Sequence, residues 1–372
     1  NDVIGTPIAN GTMLLALFQC IFVTGAGACL YKTVRHFVDQ KIAWIAYGFY
    51  FILGGVSAWI MIPYSDSTGI IFPVFLFWLY VKLKETESAK KKCVLLFLMF
   101  FLCYIGFEIK PMAAIVVIAI VAVEGIHFAG RLLKKQSVWK KSVLACCLSA
   151  VLGIGAAAGG VSAVVDSLHF PVVTDTVLGW QHHMMLGLNK DTNGGYSQAD
   201  FDYSTSFSSA EEQHAAELKE IGKRLKDFGV GGYLQHFVKK SARNYFDGCF
   251  GWGGLGETFY TEIFPERGTV LCSLIRSLYY DNTEDTLYRY QALFRQILWY
   301  MALVLVPFSV FTKRPLDKKR QVAVLSVLGL MLYLQIFEAH ARYLYTFVPI
   351  FVFLATEGID NLREYLNQKS ER

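Results

Sequence analysis

Phe337-Glu338-Ala339-His340-Ala341-Arg342-Tyr343 separates two apolar runs, Gln321–Ile336 and Leu344–Thr356. Each run is roughly long enough to cross the hydrocarbon core of a bilayer. A carboxylate, an imidazole and a guanidinium therefore share one tight turn at a membrane face. Charge there is costly unless it is paired, hydrated or used. The turn is read as part of a reaction site, which raises the question of whether other charges at span ends fall on the same side.

The composition agrees with a membrane chain. Of 372 residues, 54% are hydrophobic and 15% aromatic, and the mean hydropathy is +0.39. A soluble domain of this size has no use for so much apolar surface, because its outside must stay polar. The class expected is an all-α polytopic membrane protein. No basic segment followed by a cleavage site marks a signal peptide. The chain opens without Met on a polar stretch, Asn1–Asn10, and an N-terminal part of the natural protein is expected to precede it.

Nine apolar runs can be drawn, at about 12–31, 42–62, 69–83, 93–107, 112–129, 142–165, 292–311, 321–337 and 343–357. The loops alternate in charge. Lys32, Arg35 and Lys41 lie in the first. Lys82, Lys84 and Lys90–Lys92 lie in the third, and Arg131, Lys134, Lys135, Lys140 and Lys141 in the fifth. Lys313, Arg314, Lys318, Lys319 and Arg320 precede the eighth run, and Arg363, Lys369 and Arg372 end the chain. The short loops of the other side carry only Lys110 and Arg342. The positive-inside rule makes the basic side cytoplasmic. Asp66, Glu108, Lys110, Glu338 and Arg342 then share the extracytoplasmic face.

Three parts follow: a membrane part of about six spans over 1–165, a mostly helical extracytoplasmic loop domain over 166–291, and about three spans with a cytoplasmic tail over 292–372. The sixth run holds Gly155-x-x-x-Gly159, a spacing that lets helices approach closely. In the long segment, Ser209-Ala-Glu-Glu212 is a capping box opening a helix to about Phe228. Gly229, Gly231 and Gly232 are expected to break it. A second helix, about 233–246, puts Leu234, Phe237, Ala242 and Tyr245 near one face, with Lys239, Lys240 and Arg243 among the polar positions. That pattern suits a helix in the headgroup plane, or an amphipathic helix packed on the small domain. Gly251-Trp252-Gly253-Gly254-Leu255-Gly256 is read as a flexible loop and does not match a P-loop.

Six of the eight cysteines lie in or beside apolar runs, where Cys acts as a small hydrophobe. Cys249 and Cys272 lie in the polar segment, as a disulfide or as two free thiols. No Cys/His spacing resembles a zinc site.

Asp66, in Pro63-Tyr64-Ser65-Asp66-Ser67-Thr68, is the candidate catalytic acid or base, or else a helix cap. Lys110, beside Glu108 and ahead of Pro111, suits a lipid phosphate as a point charge, or pairs with Glu108. Arg342 can grip a phosphate with two parallel hydrogen bonds, or neutralise Glu338. Glu338, His340, Tyr343, Glu108, His182 and His183 are the candidate substrate contacts, the histidines suiting a diphosphate or sugar hydroxyls. Glu124, His127 and Arg131 are expected to pair along one helix face near the cytoplasm. The spans carry almost no charge in their middles, whereas a proton-coupled carrier places ionisable groups near the midplane.

With these residues in view the chain resembles the bacterial GT-C superfamily of integral-membrane glycosyltransferases, in particular the protein-mannosyltransferase-like proteins of Gram-positive bacteria. The resemblance rests on Pro63-Tyr64-Ser65-Asp66-Ser67 before an aromatic-rich span, and on Glu108-Ile109-Lys110-Pro111. It rests also on Met184-Met185-Leu186-Gly187-Leu188-Asn189 with Gly194-Gly195-Tyr196, and on Glu338-x-x-x-Arg342-Tyr343-Leu344. It implies a hexosyltransferase of the bacterial cell membrane, with its active face extracytoplasmic. The donor would be a polyprenyl-phosphate-linked sugar and the acceptor a cell-envelope polysaccharide, teichoic acid or protein. The main catalytic carboxylate of such enzymes sits in the first extracytoplasmic loop, which is expected upstream of residue 1. No cofactor is expected, although a divalent metal fits this chemistry, and no nucleic acid is involved. Two other readings compete: a carrier or flippase for a lipid-linked glycan, and a non-catalytic scaffold of an envelope-polymer assembly complex.

Overall fold

The computed structural model describes residues 7–62, 64–134, 141–168, 178–254, 268–280, 287–311 and 316–370. Pro63, Lys135, Lys140, Leu255, Gly256, Lys313, Arg314 and Arg372, named above, lie outside them. The helices in chain order are α1 (Pro7–Phe37), α2 (Gln40–Tyr50), α3 (Ser65–Gly69), α4 (Ile71–Glu85), α5 (Ala89–Ile109), α6 (Ala114–Leu133), α7 (Lys141–Leu168), α8 (Trp180–Gly187), α9 (Gln198–Thr205) and α10 (Ala210–Tyr245). They continue with α11 (Val270–Tyr279), α12 (Tyr288–Leu305), α13 (Lys318–Ile336), α14 (Arg342–Tyr345) and α15 (Val348–Ser370). No strand occurs among the described residues. Seven stretches are long and apolar enough to cross a membrane: Met13–Phe37, Ser65–Glu85, Ala89–Ile109, Pro111–Leu133, Leu144–Leu168, Tyr288–Ser309 and Lys318–Ile336.

Two of the nine apolar runs are not among these seven, for different reasons. The run 42–62 is interrupted: α2 ends at Tyr50, a wide π turn covers Phe51–Gly55, and a 3-10 turn covers Ala58–Met61. Interrupted backbone at such depth must find other partners. It does: Arg295 donates to the Leu53 carbonyl (2.7 Å), Tyr345 to that of Gly54 (2.8 Å) and Tyr279 to that of Val56 (2.8 Å). The run 343–357 is split between α14 and α15, and the first turns of α15 are core. Phe351 and Phe353 are buried, packed edge-on against Trp299 (5.2 Å) and against Phe37 and Phe77 (5.1 Å each).

The chain forms two compact units. The first is Asn1–Val161, Gly248–Val327 and Tyr345–Arg372; the second is Ser162–Asp247 and Leu328–Leu344. Residues 248–280 and 287–291, grouped above with the long polar segment, thus belong to the first unit. The turn 337–343 belongs to the second.

In the first unit the basic loops gather at one end. Glu124 of α6 takes Lys84 and Lys318, each at 2.8 Å, and the Tyr80 hydroxyl at 2.7 Å. This replaces the expected pairing of Glu124 along its own helix: the carboxylate turns to lysines of two other loops, which bring opposite charge. His127 instead meets Gln321 at 3.1 Å. His36 contacts Glu85 at 2.7 Å, and Arg320 pairs with Glu357. Close helix approach occurs at Gly153, where an added Cβ would lie 2.4 Å from the Phe97 carbonyl oxygen of α5. Gly155 and Gly159, the expected contact, face open space. Both Cys249 and Cys272 are free thiols. The described part of the glycine-rich loop, 251–254, is anchored by Trp252. Trp252 is buried, donates to the Tyr279 carbonyl at 2.6 Å, and packs edge-on against Trp59 at 5.2 Å.

In the second unit Met185, Leu188, Ile221 and Phe228 form the apolar core. Ser209 caps α10, its hydroxyl accepting from the Glu212 amide at 3.3 Å. The helix then breaks at Gly229 alone, with φ 57° and ψ 180°, and resumes at once; Gly231 and Gly232 are helical. That conformation is essentially restricted to glycine and costs other residues about 1–3 kcal/mol. Gly229 has no neighbour within 4 Å of an added Cβ, so space is not the constraint. Gly229→Ala is therefore expected to destabilise the second unit by about 1–3 kcal/mol. Chemical denaturation followed by hydrogen exchange of α10 checks this.

Candidate functional site

In the first unit the site begins with Tyr64, which precedes α3 in extended conformation without a side-chain cap. Asp66 is thus the second residue of the helix, not its N-cap. A carboxylate there still gains from the unpaired amides of the first turn. Lys110 is reached through α5, which Lys110 itself terminates with an extended backbone ahead of Pro111. The residue before proline is driven out of the helical region by the ring, and Pro111 opens the next turn. This places the Lys110 ammonium 2.7 Å from Asp66 Oδ1. The Asp66 side chain is 1% exposed and that of Lys110 11%. Asp66 opens the span that Glu85 closes, and Lys110 follows the span that Ala89 opens. The pair therefore lies at the opposite end of the first unit from the basic loops. Glu108 is exposed and hydrogen-bonded to Tyr104. The Glu108–Lys110 pairing considered above gives way to Lys110–Asp66.

In the second unit a cluster surrounds Glu338. Past the end of α13 the turn is pinned by its backbone: the Ala339 amide donates to the Gly194 carbonyl (2.7 Å) and Arg243 donates to the Ala339 carbonyl (3.4 Å). Glu338 Oε2 accepts the Tyr343 hydroxyl at 2.7 Å and lies 3.6 Å from His183 Nδ1. Burial pushes the Glu338 carboxyl up, but the contacts from His183 and Tyr343 outweigh it and hold it below the usual carboxylate range. It is an ionised acceptor at neutral pH. His340 accepts the Arg342 backbone amide through Nδ1 at 3.1 Å, and the Arg342 guanidinium lies over the Tyr343 ring at 5.7 Å.

The adjacent histidines diverge, as successive helical positions must. His182 is buried and bonded to the Ser204 hydroxyl at 2.7 Å, and burial followed by the charge of His183 lowers its pKa. It is a neutral internal residue, whereas the side chain of His183 is 46% exposed. Among the described residues no group of three or more His, Cys, Asp or Glu is arranged to hold a metal.

Sequence reasoning missed three buried groups. Asp200 is gripped by both terminal guanidinium nitrogens of Arg224, at 2.7 and 2.9 Å. Arg295 sits inside a span against the broken run. Lys240 is fully buried and donates to the Gly187 and Gln335 carbonyls, each at 2.9 Å. The partners of all three are distant in sequence, and no local pattern announces them.

Apolar helices of this length define an all-helical polytopic membrane protein. The chain belongs to the family described as conserved hypothetical integral membrane protein, whose model matches residues 10–361. No curated protein and no solved structure matches it.

Proposed function

We propose that this protein is a bacterial membrane glycosyltransferase of GT-C type, moving a sugar from a polyprenyl-phosphate donor to a cell-envelope acceptor on the extracytoplasmic face. The observation that carries the reading is the Asp66–Lys110 pair. A cation nearly removed from water, fixed by a carboxylate at the end of the first unit away from the basic loops, is a fitting partner for a lipid phosphate. In this reading the interrupted run 42–62 and the run 343–357 complete nine passages, and the positive-inside rule puts the pair outside. The donor's polyprenyl chain buries about 0.8 kcal/mol per CH₂ and stays in the membrane, so the chemistry takes place at the headgroup plane.

The geometry supports the following roles in this reading. Lys110 stabilises the departing phosphate. Asp66, buried and occupied by Lys110, holds that ammonium in place and is a positioning residue; deprotonating the acceptor there would require Lys110 to leave. In the second unit, taken by itself, Glu338 offers an ionised acceptor and His183 a ring N–H suited to sugar hydroxyls, while Tyr343, its one O–H given to Glu338, holds that carboxylate. Arg342 and His340 stand beside them as further phosphate or hydroxyl contacts. Lys110→Met in the full-length natural protein is expected to reduce transfer from a polyprenyl-phosphate sugar about 10²–10³-fold, the usual loss for one preorganised donor. A radiolabelled-sugar assay in membranes measures it, and unchanged transfer would sink the reading.

One observation favours a carrier instead. A broken helix with a buried cation at its break, as at 51–61 and Arg295, is a feature of transporter binding sites. Uptake of a fluorescent lipid-linked glycan across vesicles that lack acceptor would support it. Transfer without such movement supports the transferase.

A further inference from the structure

The second half of α10 has its faces reversed relative to a helix of a soluble domain. His236, Lys240 and Asn244, one turn apart, are 4%, 0% and 0% exposed. Val230, Leu234 and Val238, also one turn apart, are 82%, 62% and 66% exposed, with Phe237 beside them at 40%. The polar stripe is inside because it binds backbone: His236 meets the Gly187 carbonyl at 2.9 Å, and Lys240 meets those of Gly187 and Gln335. The apolar stripe is therefore left facing out, and water is a poor neighbour for it.

The same unit says what covers it. Ser162–Leu168 and Leu328–Ile336, the ends of two membrane spans, belong to this unit. The second half of α10 is bonded to the last turn of one of them. Lys240 reaches the Gln335 carbonyl, and the Gln335 side-chain amide donates to the Ser241 hydroxyl at 2.8 Å. Leu332 on that span end is 62% exposed, and Val164 and Val165 on the other are 58% and 51% exposed. A helix tied within one hydrogen bond of a span's last turn is held at the depth where that span leaves the hydrocarbon. Its outward stripe meets the same medium as theirs. Gln235 and Lys239 flank the stripe and are exposed, where a lysine can run its stem along the apolar boundary and lift its ammonium to the headgroups.

We infer that Val230, Leu234, Phe237 and Val238 seat the second half of α10 in the headgroup–acyl boundary of the bilayer, making it an interfacial helix that binds lipid. The inference does not depend on the transferase reading and stands or falls without it.

The test uses the full chain, its native cysteines replaced, reconstituted in phospholipid nanodiscs with a nitroxide at one position at a time. Leu234→Cys and Val238→Cys are expected to give oxygen collision rates severalfold above those with a water-soluble nickel chelate. Gln235→Cys and Lys239→Cys are expected to give the reverse. Stripe positions as open to nickel as Lys239→Cys would mean water, and protection from both reagents would mean a protein partner or a second copy; either result overturns the inference. A second measurement avoids the cysteine background. The unaltered chain is crosslinked by a lipid carrying a diazirine near its headgroup, and adducts are mapped by mass spectrometry. Adducts within 230–238 are expected, and their absence while the span ends are labelled would equally overturn it.

Discussion

Asp66→Ala lowers the stability of the first unit by about 3–5 kcal/mol, the usual result of leaving one partner of a buried ion pair uncompensated. Asp66 is 1% exposed and its partner Lys110 11%, so little water is available to solvate the ammonium left behind. The double variant Asp66→Ala/Lys110→Met removes the stranded charge as well. An apolar replacement of a whole buried pair is often neutral, so most of the lost stability is expected to return. Transfer activity is expected not to return, because the phosphate partner is gone. Thermal unfolding of the detergent-solubilised chain measures the first effect, and the sugar-transfer assay measures the second. A double variant that regains both would make the pair a strut between two helix ends and remove the main support for the proposed chemistry.

The second large effect is a pH dependence centred on Lys240. Burial lowers the pKa of this amine from 10.5 to about 7, against a smaller opposite pull from Glu338. Hydrogen bonding agrees with a neutral amine, since two N–H groups serve the two carbonyls of Gly187 and Gln335. Between about pH 7 and 10.5 the unfolded chain binds a proton here that the folded chain does not. Stability therefore rises with pH across that window, reaches its full value above 10.5, and is lost as pH falls toward 7. The total is a few kcal/mol. Lys240→Met keeps the bulk and removes the titration. The difference in unfolding free energy between the two proteins, measured from pH 7 to 10 by hydrogen exchange in the second unit, is expected to grow in favour of lysine. A difference that does not change with pH would mean that Lys240 keeps its proton in the fold.

The parts of this protein legible in its sequence are those set by local physics. Apolar run length marks helices able to span a bilayer, and all seven candidate spans overlap runs visible in the sequence. The capping box at Ser209 starts a helix by satisfying its own first-turn amides. Pro111 ends one helix and begins another through a steric rule that acts on its neighbour alone. The turn at 337–343 likewise stands out because an acid, an imidazole and a guanidinium share one short turn between apolar runs.

Pairing was legible only as a set of alternatives. Glu108 and Arg131 are close to Lys110 and Glu124 in sequence, yet Lys110 chose Asp66 and Glu124 chose Lys84 and Lys318. The glycine that admits a neighbouring helix is Gly153, not the spaced pair at 155 and 159. Lys240, placed by composition among the polar positions of the second half of α10, is buried by its carbonyl partners for the same reason. By itself the sequence determined that the chain is helical, that it lives in a membrane, and where single helix ends such as those at Ser209 and Pro111 fall, because those depend on neighbours along the chain. Tertiary structure alone decided which charge meets which and which polar side chains are buried. Those outcomes depend on groups far apart in the chain, 95 positions for Lys240 and Gln335 and 194 for Glu124 and Lys318, and only the packed helices bring them together.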